Sequence, residues 1–216
     1  MSFFFRDGKL ERFSKQGYLH TKKVLTTKEC YQLLSSMILD WKRNEHSKFV
    51  WEPEYRFHCP MTITDFTSSI LKKVLSTYTT VLSQFWNEDP WMLEFSSLCS
   101  FSGAVEQPSH PDVEVGKSVS IFVNLFDVNK KGGPLRVYPG SHIDSDFGIP
   151  PRFMTGPGGS TVLMDSRLTH GASAVISKSH FRPVFYASFG RIDTVGLENS
   201  ILPSDSKKYR LSDFLK

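Results

Sequence analysis

A chain of 216 residues that is 39% hydrophobic and 13% aromatic, with 18 Phe, suffices for one domain with a well-filled core and calls for no second one. Its formal charge of +4 is scattered over short pairs (Lys22-Lys23, Lys72-Lys73, Lys130-Lys131, Lys207-Lys208), which argues against a nucleic-acid groove. There is no run of 18 apolar residues, Phe3-Phe4-Phe5 stops at Arg6, and Cys30, Cys59 and Cys99 form no CxxC, so the expectation is an intracellular, cytoplasmic protein with reduced thiols and no membrane span.

In chain order, residues 13–20 read as a short strand entering the domain. Thr26 or Thr27 can cap a helix with Glu29 in its first turn, and Cys30, Leu33, Leu34, Met37, Ile38 and Trp41 then recur at helical spacing. Residues 44–63 read as irregular, with Trp51, Arg56, Phe57 and His58 either as loop anchors or as a pocket wall. A second helix is expected from Asp65 to Trp86, with Phe66, Ile70, Val74, Leu75, Tyr78, Val81, Leu82 and Phe85 as its apolar stripe. From Trp91 the pattern changes to strands separated by Gly/Pro turns, at 91–101, 118–128, 134–138, 160–166 and 181–190. Helices followed by strands imply an α+β domain, a barrel or double sheet with helices packed on one sheet. Along the single domain 1–216, about 1–90 would be helical support, about 91–193 a metal-binding β-barrel core and 194–216 a C-terminal extension.

The chemistry is concentrated in Gln107-Pro108-Ser109-His110-Pro111-Asp112. Side chains two apart in a strand project to the same side, so His110 and Asp112 present an imidazole and a carboxylate to one point. His170, after the apolar run 160–165, can supply a third ligand. Two histidines and a carboxylate on one face of a metal leave the other face open, as in non-haem Fe(II) oxygenases; the same set can also hold Zn(II) in a hydrolase. A His-x-Asp triplet is weak by itself, and His142-Ile143-Asp144 is a second one. That copy follows Pro139-Gly140-Ser141, a turn signature, and His142 reads as a structural cap of the turn.

The ordered set around these residues carries a resemblance. Gln107 to Asp112, then Asn124-Leu125-Phe126-Asp127, Gly132-Gly133-Pro134-Leu135-Arg136-Val137-Tyr138-Pro139-Gly140-Ser141-His142, Leu163-Met164-Asp165 and Thr169-His170-Gly171-Ala172, and finally Arg182, resembles the phytanoyl-CoA dioxygenase family of Fe(II)/2-oxoglutarate oxygenases. It covers roughly residues 90 to 190, and Gln16 to Leu19 and Thr26 to Cys30 are similar in kind. The resemblance implies a double-stranded β-helix (jelly-roll, cupin-like) core. It also implies Fe(II) on His110, Asp112 and His170, 2-oxoglutarate as cosubstrate, and O2 with a small molecule as the other reactants.

On this resemblance the reaction is hydroxylation with release of succinate and CO2. Asp112 fills the place that halogenating relatives leave to chloride, which turns the expectation from halogenation to hydroxylation. Arg182 would return on the strand after His170 with a planar fork suited to the distal carboxylate of 2-oxoglutarate, and Gln107 would hydrogen-bond the cosubstrate. Ala172 stands where several relatives carry a hydroxyl, leaving open whether Ser173 replaces it, and Leu135 stands where many have threonine. Arg136 and Asp165 read as supports of the barrel, and Arg56, Tyr138 and Arg152 as substrate contacts. Two other readings stand beside this one: a catalytically silent metal-binding β-barrel that binds a ligand, and a zinc hydrolase. Arg182 tells against the hydrolase, which has no use for a 2-oxoglutarate anchor.

Overall fold

The structure is a computed structural model that describes residues 8–43, 49–51 (backbone only), 55–144, 148–178, 181–191, 203 and 207–215. The expectations that fall on Phe3 to Phe5 and on the side chain of Trp51, and most of 194–206, lie outside the described residues.

The chain opens with a helix, α1 (Gly8–Gln16), where a strand was expected from residue 13. Phe13 is buried edge-on against Phe85 at 5.6 Å, so one apolar residue per turn suffices for this short helix. Gly17, at φ +79°, ends it by donating its N–H to the Phe13 carbonyl at 2.8 Å. Strand β1 (Tyr18–Thr21) follows. Helix α2 (Thr27–Arg43) begins as expected: Glu29 accepts from the Thr26 N–H at 2.7 Å, and the Thr26 hydroxyl accepts from the Glu29 N–H at 3.2 Å.

Residues 44–63 differ from expectation. They contain β2 (Phe49–Trp51) and β3 (Arg56–Pro60), and β3 pairs antiparallel with β4 (Trp91–Phe101). Lone Pro and charged residues hide this strand locally, and only its partner makes it one. The helix expected over 65–86 is two, α3 (Asp65–Ser76) and α4 (Thr79–Phe85). Tyr78 breaks the ladder, and its buried hydroxyl meets Thr161 Oγ1 at 2.5 Å. Further along come β5 (Ser118–Asn124), β6 (Leu135–Val137), β7 (Arg152–Phe153), β8 (Thr161–Asp165), β9 (His170–Ala172) and β10 (Phe181–Gly190). A 3-10 turn, Leu211–Phe214, closes the described chain.

Two antiparallel sheets result. The larger runs β1-β8-β5-β10-β4-β3-β2 and the smaller β7-β6-β9. The period of two sorts the larger sheet's side chains into two cores. Its outer face (Leu19, Ile121, Val123, Leu163, Phe185, Ala187) packs on Leu33, Met37, Ile70, Leu71 and Val74 of the helices. Its inner face (Tyr18, Phe122, Val162, Met164, Val184, Tyr186) packs on Leu135 and Val137 of the smaller sheet. Cys30, Cys59 and Cys99 are buried and in no disulfide. Among the described residues no helix is long and apolar enough to cross a membrane.

The loop before β8 locks the helical layer to the sheet through one residue. The Gly159 carbonyl accepts from the N–H groups of Val24 (2.7 Å) and Leu25 (3.2 Å), and its own N–H donates to Asn124 at 2.8 Å. At φ +84° an added Cβ would meet the Leu25 carbonyl oxygen at 2.2 Å. Gly159→Ala is therefore expected to lower unfolding free energy by about 2–4 kcal/mol, from strain and overpacking together. Urea denaturation checks it; a loss below about 0.5 kcal/mol, the scatter of ordinary surface substitutions, would contradict it.

Candidate metal centre

His110 sits on the loop between β4 and β5, beyond the edge of the smaller sheet. There it forms a two-way backbone bridge with His170, N–H to carbonyl in each direction at 2.9 Å. The Asp112 N–H donates to the Ser166 carbonyl at 2.8 Å. These main-chain bonds bring one ligand-bearing atom from each of His110, Asp112 and His170 within 4.8 Å of one another.

The rings are held in a definite orientation. His110 Nδ1 lies 2.9 Å from the Pro108 carbonyl, and His170 Nδ1 lies 2.9 Å from the Leu168 carbonyl. A carbonyl can only accept, so each Nδ1 is the N–H and each ring presents Nε2 to the cluster. Asp112 is oriented too: Oδ2 accepts from the Ser120 hydroxyl at 3.0 Å, while Oδ1 lies 3.3 Å from His170 Nε2. Burial by itself would push His170 down and Asp112 up. Their mutual attraction reverses both, so His170 is raised and Asp112 lowered. The favoured proton between them occupies the place a divalent cation would take, and two lone pairs with one carboxylate oxygen suit such an ion.

Across the inner face, one register row holds Arg182 of β10, Ser100 of β4 and Arg56 of β3. Both guanidinium groups are buried, at 6% exposure each, an arrangement that is costly without an anion. Arg56 donates to Ser100 Oγ (3.2 Å), to the Ser173 carbonyl (2.8 Å) and to the Val105 carbonyl. Arg182 donates to the Gly133 carbonyl, and its Nε is buried with no hydrogen-bond partner, as is the Ser173 hydroxyl. Burial first, and Arg56 second, bring Arg182 down to about 10, still cationic at neutral pH.

The remaining expected residues divide. Gln107 turns its side-chain oxygen to the Ala172 N–H at 2.9 Å, bracing β9. Arg136 ion-pairs with Glu106 and donates to Ser109 Oγ at 2.9 Å, so it holds the loop that bears His110. Asp165 pairs with Arg167 at 2.7 Å. Tyr138 is half-buried with its hydroxyl 3.3 Å from Ser109 Oγ, and Arg152 is exposed on β7. The turn after Tyr138 is capped by Ser141, whose hydroxyl donates to the Tyr138 carbonyl at 2.8 Å; His142 instead reaches the Ser14 carbonyl at 3.1 Å and anchors α1. Sequence reading passed over Ser96, Ser120, Tyr186 and Glu94, which line the inner face beside the cluster. Their signal was present as polar residues at alternate positions of otherwise apolar strands.

A family model described as phytanoyl-CoA dioxygenase (PhyH) matches residues 13–184. No curated protein sequence matches the chain. Among solved structures it is similar to the non-heme alpha-ketoglutarate-dependent carbocyclase SnoK from nogalamycin biosynthesis, at TM-score 0.71, 16% identity and coverage of 88% of this chain and 86% of that one. The epimerase SnoN in complex with Fe3+, alpha-ketoglutarate and nogalamycin RO is similar at TM-score 0.70 and 15% identity, with 87% and 84% covered. HygX from Streptomyces hygroscopicus, with nickel and 2-oxoglutarate bound, is similar at 0.67 and 14%, with 88% of each chain covered.

His58 faces the same interior, 2.5 Å from Ser96 Oγ and edge-on to Tyr186. Burial, opposed in part by Asp112, lowers it from 6.5 to about 4. A lowered histidine leaves stability unchanged above the unfolded value; below it the unfolded chain gains a proton that the folded one refuses. Stability is thus expected to fall by on the order of 3 kcal/mol as pH drops from 6.5 to 4 on account of His58. Urea titrations at several pH values should show this slope, and His58→Gln should remove most of it. An equal slope in the variant would assign the acid sensitivity elsewhere.

Proposed function

Because the chain belongs to the phytanoyl-CoA dioxygenase family, we propose that it is an Fe(II)- and 2-oxoglutarate-dependent oxygenase that hydroxylates a small molecule and releases succinate and CO2. The observation that carries this reading is the convergence of His110, Asp112 and His170 within 4.8 Å, with both imidazoles turned by backbone carbonyls to present Nε2. The reading extends to the fold: the strand orders β1-β8-β5-β10-β4 and β7-β6-β9, with His110 extending the second, support a double-stranded β-helix of jelly-roll, cupin-like form.

In this reading His110 Nε2, Asp112 Oδ1 and His170 Nε2 would hold the iron. The metal supplies the redox chemistry of O2 and the 2-oxo acid when bound. Arg182 would receive the distal carboxylate of 2-oxoglutarate through its unpartnered Nε, and Arg56 adds a second positive charge from β3, on the far side of β4. The same pair of buried cations tells against a zinc hydrolase, which has no anion to place there. Ser173, with its hydroxyl buried beside them, is a candidate for the hydroxyl contact that Ala172 lacks. Gln107 acts on this site through β9, and Tyr138 and Arg152 are assigned to the rim that meets substrate.

Hydroxylation is the outcome proposed for the C–H oxidation, with Asp112 occupying the coordination position a halide would need. Mixed anaerobically with Fe(II) and 2-oxoglutarate, the protein is expected to show the visible charge-transfer band of a chelated 2-oxo acid. His110→Ala and His170→Ala should each abolish it, and the product of aerobic turnover should carry one oxygen atom from labelled O2. A band retained in both variants would refute the ligand assignment, and an unlabelled cyclised or epimerised product would refute hydroxylation.

Arg182→Ala is expected to weaken 2-oxoglutarate binding by about 1.5–3 kcal/mol, the size of a hydrogen bond to a charged group, with iron affinity almost unchanged. Titration of the band with 2-oxoglutarate measures it, and an unchanged Kd would move the anchor to Arg56.

A further inference from the structure

We propose that Glu94, acting through Tyr186 and Ser120, is a positioning residue for the metal ligand Asp112. The inference rests on the metal-site reading above. Ser120 of β5 lies opposite Ser188 of β10, and Ser188 lies opposite Glu94 of β4, so three polar side chains form one row across the inner face. Tyr186, two residues earlier on β10, projects to the same face. The register shift after Ser188 comes directly behind this row, the kind of irregularity that re-aims side chains.

The contacts run without a break. Ser120 Oγ donates to Asp112 Oδ2 at 3.0 Å and lies 3.0 Å from the Tyr186 hydroxyl. That hydroxyl is hydrogen-bonded to the Glu94 carboxylate, whose Oε2 also accepts from Ser188 at 3.1 Å. Every intermediate is buried: Ser120 0%, Tyr186 5%, Glu94 8% and Ser188 1% exposed.

A phenol has a single proton, so Tyr186 can donate either to Ser120 or to Glu94. The carboxylate competes for that proton and so sets how strongly Ser120 is engaged by its neighbours. Ser120 in turn sets how firmly Oδ2 is held away from the metal side, leaving Oδ1 to coordinate. In a low-dielectric interior such chains polarise one another, so a change at Glu94 is felt at Asp112. Outer partners of this kind orient first ligands and tune the ion.

The test uses Co(II) alone as the probe, titrated into the full-length protein without 2-oxoglutarate and followed by its d–d bands. Tyr186→Phe, which removes the donor to Ser120, should weaken Co(II) binding about tenfold, the low end for outer partners, and shift the bands, whereas Glu94→Gln, a weaker competitor for the phenol proton, should tighten binding and shift the bands in the opposite sense. The double variant should bind as Tyr186→Phe does, because Glu94 acts through the phenol that this variant lacks. Tyr78→Phe, which removes a buried hydroxyl on the helical side of the sheet, should leave affinity and bands as in the unmodified protein. Unchanged affinity and bands in both relay variants would overturn the proposal while leaving the metal site intact, as would an equal loss in Tyr78→Phe. Should Glu94→Gln not fold, Tyr186→Phe decides alone. Failure of the unmodified protein to bind Co(II) would overturn the metal-site reading and the relay with it.

Discussion

Two backbone hydrogen bonds between His110 and His170 hold together the part of this molecule that can do chemistry. They contribute about 1–3 kcal/mol between them, a small share of a domain's total, yet they join a loop to a strand far away in sequence. Each ring's Nδ1 is tied to the carbonyl two residues before it, so backbone placement carries directly into side-chain direction. Gln107 and Arg136 reinforce the same junction, one clamping β9 and the other the loop. Their contribution to the site is made through the main chain.

The larger sheet separates two environments. Its outer face is a conventional apolar layer under four helices, with Phe185 and Ile121 fully buried. Its inner face mixes Phe122, Val184 and Met164 with serines, histidine, glutamate and two arginines. Unpartnered polar groups in such a place cost about 1–3 kcal/mol each, which explains why most of them are hydrogen-bonded to one another. The departures include Arg182 Nε and Ser173 Oγ at the arginine end of the interior, and His20 Nε2 on β1. Stability given up there is the usual accompaniment of a site shaped for a ligand.

Charge is distributed along this interior in a consistent sense. Arg56 and Arg182 stand at one end; at the other lies the row of Glu94, Ser188 and Ser120, whose Ser120 holds the carboxylate of Asp112. An anionic cosubstrate would meet the two arginines at one end and the metal cation at the other, so that both of its termini face positive charge. The helices pack on the sheet from its other face.

Strands β4 and β10 were legible to the residue, because long apolar runs bounded by Gly, Pro or charge leave few alternatives; His110 and Asp112, expected to share a face through a strand's period, lie instead on a loop and are aimed by their main-chain bonds to His170 and Ser166. The order of motifs from Gln107 to Arg182 likewise belongs to the sequence, and with it the family. Strand β3 was not legible: Arg56 and His58 enter the interior only because β4 offers them an edge, and pairing across some forty residues leaves no mark in a short window. Helix α1 was missed for the opposite reason, since its one buried residue, Phe13 against Phe85, is too little pattern to see. The adjacency of Arg56 to Arg182, and of Glu94 to Ser120 by way of Ser188, follows from strand register alone. Register is decided by the packing of the whole sheet, so tertiary structure was needed to turn scattered polar residues into neighbours.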